Sequence, residues 1–403
     1  SEVADQHFGG SLANRLVVTG GLGASGAAQA PAVKMVKGTV LIAEVQASRI
    51  AALEPLGLFD QRLEDLDQAI DMAVGMKATG TAQAIVWHGN SVDLLARLKQ
   101  RGVVPDIVTD MTGGIDAHGS YVPQGVAADA VRGLAASQGR PYEQQATESV
   151  ARHLQLMIEL KEAGAVCFEF GNALRAQAEL AGVSDAFEIP GFYASFMRAR
   201  VLEGRSPITF VAMSGERSDL DAVDAKLTEL LPNDMRVVRY LELHRSVPLG
   251  EQGLPSQTIW LRAKDQAELV KAVNRMVRDQ DVQAPILVQR GTLDPGTVTS
   301  PFRETEQMPD GSDAVADWPV LAGMLAAANG ATWVALGHGG GAGIGFSVHS
   351  NVSLLANGSP ETDLRLSRVF AADPALGLLR YAAGGDPEAK AALKALNLRV
   401  PGP

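Results

Sequence analysis

The chain has 403 residues, too many for one ordinary core, so two domains are expected. Apolar residues make up 46% and charged residues 20%, with a net charge of -11; this excludes a disordered chain and, with no basic cluster, a nucleic-acid partner. No apolar run reaches membrane-spanning length, and the single cysteine, Cys167, with seven scattered histidines, excludes an internal disulfide and argues against a structural metal site. No charged-then-apolar leader opens the chain, so a cytoplasmic small-molecule enzyme in a reducing compartment is the expected class.

In chain order, residues 16–19 (LVVT) read as a buried strand, followed by GGLGASG and a helix carrying Ala27 to Val36. A second strand follows at 39–45. Residues 61–78 have helical spacing, with Leu63, Leu66, Ile70 and Val74 on one face. Then come a strand at 83–88, a helix at 91–101, a strand at 106–109, a long helix over 142–163 and a strand at 165–170. Strands and helices alternating at this pitch predict an α/β fold, a Rossmann-like, doubly wound and mostly parallel sheet. The pattern weakens after IPGF at 189–192. Apolar strands near 208–213, 257–262, 285–288 and 331–336, separated by Gly/Pro-rich loops, predict a second α/β domain. The boundary is placed near Arg198, giving domains 1–198 and 199–403.

The glycines concentrate at 20–26, 113–119 and 337–345, between apolar runs, where tight turns or backbone close to a ligand are expected. Gly21-Leu22-Gly23-Ala24-Ser25-Gly26 is a G-x-G-x-x-G between a strand and a helix, and Glu44 ends the next strand. In a dinucleotide fold such glycines admit a pyrophosphate and the carboxylate takes ribose hydroxyls. An ordinary tight turn is the other reading. Arg49 is either a phosphate or ribose contact or a surface arginine. Asn90, the loop Asp110–Val122 and Phe170-Gly171-Asn172 follow strands, where open α/β sheets bind ligands. His88 and His118 are lone histidines, more often structural than catalytic.

The second region holds Arg290, Asp294, Arg303, Glu304, Thr305, Glu306, Asp310, Asp313 and Asp317. Arginines there suit a carboxylate substrate, because a guanidinium binds both oxygens at once; a solvated charged loop is the alternative. His338 and the glycines through Gly341 follow a strand and either present backbone N–H groups to a ligand or form a flexible turn.

These strings, in order, resemble the urocanate hydratase (urocanase) family. The stretches TGGLGASGAAQAP, AEVQASRI, WHGNS, PDIVTDMTGGIDAHGSYVP, FEFGNAL, IPGF, QGLPSQTIW, SPFRETEQMPDGSDAVADWPVL and GATWVALGHGGGAGIGFSVHS carry the likeness over almost the whole chain. The resemblance implies a hydro-lyase with tightly held NAD as an electrophile rather than an oxidant. It places NAD contacts on Gly21, Gly23, Ala24, Ser25, Gly26, Glu44, Arg49, Asn90, Ser91, Thr112, Gly113, Gly114, Tyr121, Val122, Phe170 and Gly341. Arg303 looks like the partner of the substrate carboxylate, Asp294 and His338 are the proton-transfer candidates, and Thr292 and Thr209 help to shape the pocket.

The other half of the pattern departs from the family. The DQTSAHD of the family is DMTGGIDA here, which puts Met111 for Gln and Ile115 for His; FDYGNN puts Phe170 for Tyr. The family's reactive cysteine falls on Ile259, an arginine falls on Thr209, and RDHLD reads Arg290 to Asp294 with Gly291 and Thr292 inside it. The losses run from polar to apolar or small while the glycine loop stays intact, which fits a repurposed pocket better than decay. They favour a ring-substituted or less polar urocanate, with thiourocanate and S-methyl thiourocanate as candidates. Ordinary urocanate hydratase, a non-catalytic NAD-binding protein and an NAD-dependent dehydrogenase are the rival readings. The resemblance also implies a homodimer, and a further N-terminal segment that is either a separate polypeptide or lost by truncation.

Overall fold

The computed structural model describes residues 2–23, 25–112, 121–171, 173–246, 253–291, 293–338 and 347–397. The chain divides into two compact units, the first chiefly Ser1–Ser195 and the second chiefly from Phe196 onward. Ala24, Gly113, Gly114, Ile115, Thr292 and Gly341, all expected at the site, lie outside the described residues, as do His118 and Asn172.

In the first unit the described strands are β1 (Leu16–Gly20), β2 (Thr39–Glu44), β3 (Gln61–Leu63), β4 (Ala84–His88), β5 (Ile107–Val108) and β6 (Val166–Cys167). They form one sheet in the order β3-β4-β2-β1-β5-β6, every pair parallel. Strands covered on both faces read as continuous apolar runs, and β1 and β2 are buried at every position. The chain builds outward from β1 through β2, then returns to lay β5 on the other side of β1. That reversal is where an open parallel sheet leaves a crevice at its carboxyl ends. Val150, Leu154 and Met157 of the helix Arg140–Glu162 close one side of the core against Val108 and Cys167. Each such buried aliphatic side chain contributes about 1.5–3 kcal/mol.

One expected element is corrected. The helix foreseen over 61–78 begins at Leu66, because Asp65 caps it by accepting from the Gln68 N–H at 2.8 Å. Gln61–Leu63 is instead an edge strand paired with β4, and Val74, expected on the buried face, is exposed.

The second unit is built on β7 (Arg205–Ala212), β8 (Ser256–Arg262), β9 (Ile286–Arg290), β10 (Val298–Thr299), β11 (Trp333–His338) and β12 (Val348–Ala356). The order is β10-β12-β9-β7-β8 with β11 on β12, and every pair is antiparallel. Antiparallel sheets can bury one face and leave the other polar. Here Ile208, Phe210, Ile259, Leu261, Val288, Val352 and Leu354 join the helices Arg217–Leu230, Ala263–Asp279 and Pro360–Ala372 in one core. The opposite face carries an in-register polar row, Thr258–Thr209–Gln289–Ser353. Thr209 and Thr258 hydroxyls meet at 2.7 Å, and Gln289 Nε2 donates to Ser353 Oγ at 3.3 Å. Among the described residues no helix is long and apolar enough to cross a membrane, and no group of three His, Cys, Asp or Glu side chains is arranged to hold a metal ion.

Candidate functional site

The glycine turn of the first unit is shaped by backbone packing. Gly20 ends β1, and a Cβ there would lie 2.1 Å from Ser91 Oγ. Gly21 has φ +87, and its Cβ would meet the Met111 carbonyl oxygen at 2.2 Å; at Gly26 it would meet the Gly21 oxygen at 2.3 Å. At Gly23 nothing lies within 4 Å, so this glycine faces open space. Ser25 is exposed beside it. The following helix is Gln29–Met35, shorter than expected and starting beyond the glycines, so the cradle is a loop rather than a helix end.

Glu44 is buried at the tip of β2 and holds this loop in place. Its oxygens accept from the Leu22 N–H at 2.7 Å, the Gln46 N–H at 2.8 Å and Arg49 Nη1 at 3.2 Å. A carboxylate offers about four lone-pair sites, so one remains for a hydroxyl. Arg49 is half-buried and points into the turn through this pair, not out to solvent. Asn90 caps the helix Ser91–Gln100 by accepting from the Val92 N–H at 2.9 Å, and its Nδ2 donates to the Val122 carbonyl at 2.9 Å. Two expected cofactor contacts, Asn90 and Val122, are therefore joined directly to each other.

After β5 the expected residues Asp110, Thr112 and Tyr121 join a buried polar chain through His153, which sequence reasoning missed. Asp110 accepts from the Thr112 hydroxyl at 2.7 Å and lies 3.7 Å from His153 Nε2; Tyr121 OH sits 3.4 Å from His153 Nδ1. Burial holds the His153 imidazole below the ordinary histidine range, against the pull of Asp110. Burial raises both the Tyr121 phenol and the Glu169 carboxyl, the latter opposed by Arg175 at 2.9 Å. Met111 and Thr112 are half-buried where the chain leaves β5. Phe170 packs its ring on Phe192 at 4.5 Å between centroids.

In the second unit, Arg290 pairs with Asp294, and Arg303 pairs with Glu304 at 2.6 Å. Glu304 also accepts from the Leu293 N–H at 3.2 Å, which ties the two pairs into one loop; Leu293 sits at φ +74, a strained conformation for a branched residue. Buried and without a protein partner on this loop are Arg303 Nε, Glu304 Oε2 and Ser300 Oγ. Arg380, also missed, braces the loop from below, donating to the carbonyls of Pro295, Val298 and Ser312 and to Thr299 Oγ1. Burial pushes its guanidinium down to about 10, so it remains a cation at neutral pH.

Other expected residues fall elsewhere in this unit. Ile259 lies in the hydrophobic core, 4% exposed, and Thr209 lies on the polar row of the opposite face. His338 is exposed at the end of the edge strand β11. His349 of β12, which no sequence motif marks, is half-buried, and burial holds its imidazole below the ordinary histidine range. No motif marks His153 or Arg380; only their burial in the folded chain gives them away.

A parallel sheet with a glycine cradle at its strand-order reversal, in one chain with an antiparallel sheet carrying buried arginine–carboxylate pairs, defines a two-domain α/β protein with a Rossmann-like half. Two family models match it: the urocanase Rossmann-like domain over residues 1–196 and the urocanase C-terminal domain over residues 201–395. The chain belongs to the urocanase family, which implies a hydro-lyase of the urocanate hydratase type.

Proposed function

We propose that the protein hydrates a urocanate-like imidazole acrylate with NAD+ held at the glycine turn, and that its substrate carries a ring substituent, as in S-methyl thiourocanate or thiourocanate. The observation that carries the substrate part is the buried Nε of Arg303, which has no protein partner, on the same turn as the equally unpartnered Glu304 Oε2 and Ser300 Oγ. Buried polar atoms are nearly always satisfied, so such a trio points to a ligand or water that completes it. A carboxylate at Arg303 would contribute about 1.5–3 kcal/mol as a charged hydrogen bond.

The cofactor part rests on fit. Gly23 leaves room where Gly21 and Gly26 have none, and Glu44 has one acceptor site left for a ribose hydroxyl. Bound NAD+ supplies an electron-deficient ring, and the protein supplies position. Glu44 orients the loop, Asn90 fixes Val122 against the helix behind it, and the Asp110–His153–Tyr121 chain holds the backbone on both sides of 113–120. Asp294, paired to Arg290, stays the proton-transfer candidate, while the exposed His338 is the weaker one. The substituted ring is favoured by side chains that cannot hydrogen-bond, Met111 and Phe170, in place of the family's polar residues. One extra methyl-sized group in an apolar pocket is worth about 1–3 kcal/mol.

The test follows the ultraviolet absorbance of urocanate, thiourocanate and S-methyl thiourocanate with NAD-loaded full chain. Loss of the conjugated chromophore with a sulfur-bearing substrate alone is the expected result. Loss with urocanate overturns the substituted-ring reading and leaves an ordinary hydratase. Growth of NADH absorbance marks a dehydrogenase, and NAD binding with every substrate untouched marks a non-catalytic protein. The same reading takes a homodimer as the working unit, which sedimentation velocity checks.

A further inference from the structure

We propose that a second pocket of the second unit, lined by Arg262, Asp265 and Met235, binds a free α-amino acid with an apolar side chain. None of its lining residues belongs to the 290–304 loop, so the inference stands apart from the hydratase reading.

A cavity of about 640 Å³ opens where β7 begins and β8 ends, at Arg205 and Arg262, which face each other in register. Small-molecule pockets span about 300–1,000 Å³. Most of the charge around this one is already matched. The buried Arg205 donates to Glu203 at 3.2 Å, to Asp234 at 2.6 Å and to the Trp260 carbonyl at 3.3 Å. Arg236 pairs with the other oxygen of Glu203 at 3.0 Å. These four charges cancel within the protein.

Two lining groups are left over. Among the described residues the Arg262 side chain has no hydrogen bond or ion pair, and the half-buried Asp265 has an Oδ2 without a partner. Arg262 is the N-cap residue of the helix Ala263–Asp279 and Asp265 lies in its first turn. No side chain caps this helix start, so its first N–H groups also lack a side-chain acceptor. Burial raises the Asp265 carboxyl, against Arg262 and Arg205, as expected of a carboxylate that no donor reaches.

One unmatched cation and one unmatched anion, three residues apart at one helix start, call for a ligand that carries both charges close together. An α-amino acid does so. Its carboxylate would accept from Arg262 and the open helix N–H groups, and its ammonium would donate to the Asp265 carboxylate. A simple anion would leave Asp265 unsatisfied, and a simple cation would leave Arg262 so. Leu230, Leu231 and Met235 make the rest of the wall apolar, and Met235 is 69% exposed, which favours an uncharged, apolar ligand side chain.

The probe is L-leucine, titrated calorimetrically into the full chain. Saturable binding is expected, weaker by about tenfold or more for 4-methylpentanoate, which lacks the ammonium, and for 3-methylbutylamine, which lacks the carboxylate. Arg262→Gln and Asp265→Asn should each weaken leucine by a similar factor without moving the melting temperature. Because a variant could fail to fold, wild-type protein labelled at its methionine methyl groups provides a second measurement by NMR. The Met235 resonance, assigned with Met235→Leu, should shift on adding leucine and saturate with the calorimetric Kd. No saturable leucine binding, variants that bind as tightly as wild type, or an unmoved Met235 resonance each overturns the inference. Binding of 4-methylpentanoate as tight as that of leucine also overturns it and marks a plain anion site.

Discussion

A methyl group added at Gly21 in the first unit would meet a backbone carbonyl 2.2 Å away, while in the second unit the 300–304 turn leaves three buried polar atoms without partners. One site is shaped by main chain and the other by side chains. A main-chain site survives only if particular positions carry no side chain, and Glu44 is already held by the Leu22 and Gln46 N–H groups and Arg49. A side-chain site can change what it recognises without changing the path of the chain.

The sharpest way to break the comparison is a pair of substitutions in the same loop. Gly21→Ala puts a Cβ against the Met111 carbonyl in left-handed backbone, a conformation that alone costs about 1–2 kcal/mol, so the first unit should lose its cooperative melting transition and NAD binding together. Gly23→Ala meets nothing within 4 Å, so its melting temperature should match wild type while NAD affinity, by fluorescence titration, falls at least tenfold. Equal melting losses for both would mean that the turn is not built as described.

The next effect belongs to the second unit. Arg380→Met leaves the carbonyls of Pro295, Val298 and Ser312 without their donor, at about 1–3 kcal/mol for each that water fails to reach. Urea unfolding should show a lower midpoint for this unit with the first unit's transition unmoved. The smallest effect is a pH dependence in the first unit. His153 is held neutral by burial, so the unfolded chain takes up a proton near the ordinary histidine value and the folded chain only at lower pH. The stability of the first unit should therefore fall as pH drops below about 6.5, by about 1.4 kcal/mol per unit of pKa difference, and His153→Gln should flatten that slope. A slope unchanged in the variant would assign it to the carboxylates instead.

Much of the first unit was legible in the sequence, because parallel strands buried on both faces write themselves as unbroken apolar runs such as LVVT and TVLIAE. The helix start at Leu66 was not, since Leu63 fits the helical stripe by spacing and only the Asp65 cap excludes it. The second unit was legible as strands but not in their direction: the antiparallel pairing comes from long-range register that no local pattern encodes. The site divided in the same way. Glu44 and the glycines follow from local order along the chain. His153 and Arg380 act across tens of residues.

Cys167 sits buried in the edge strand β6 of the first unit, its thiol donating to the Met157 carbonyl at 3.5 Å and pushed up to about 12 by burial. A thiol of that kind holds almost no thiolate at neutral pH and does not react with alkylating or oxidising reagents while the unit stays folded. The wild-type protein thus presents a silent background to thiol chemistry. Any cysteine introduced at the surface becomes the sole attachment point for a spectroscopic label, and delayed labelling of Cys167 itself becomes a clock for the opening of the parallel sheet.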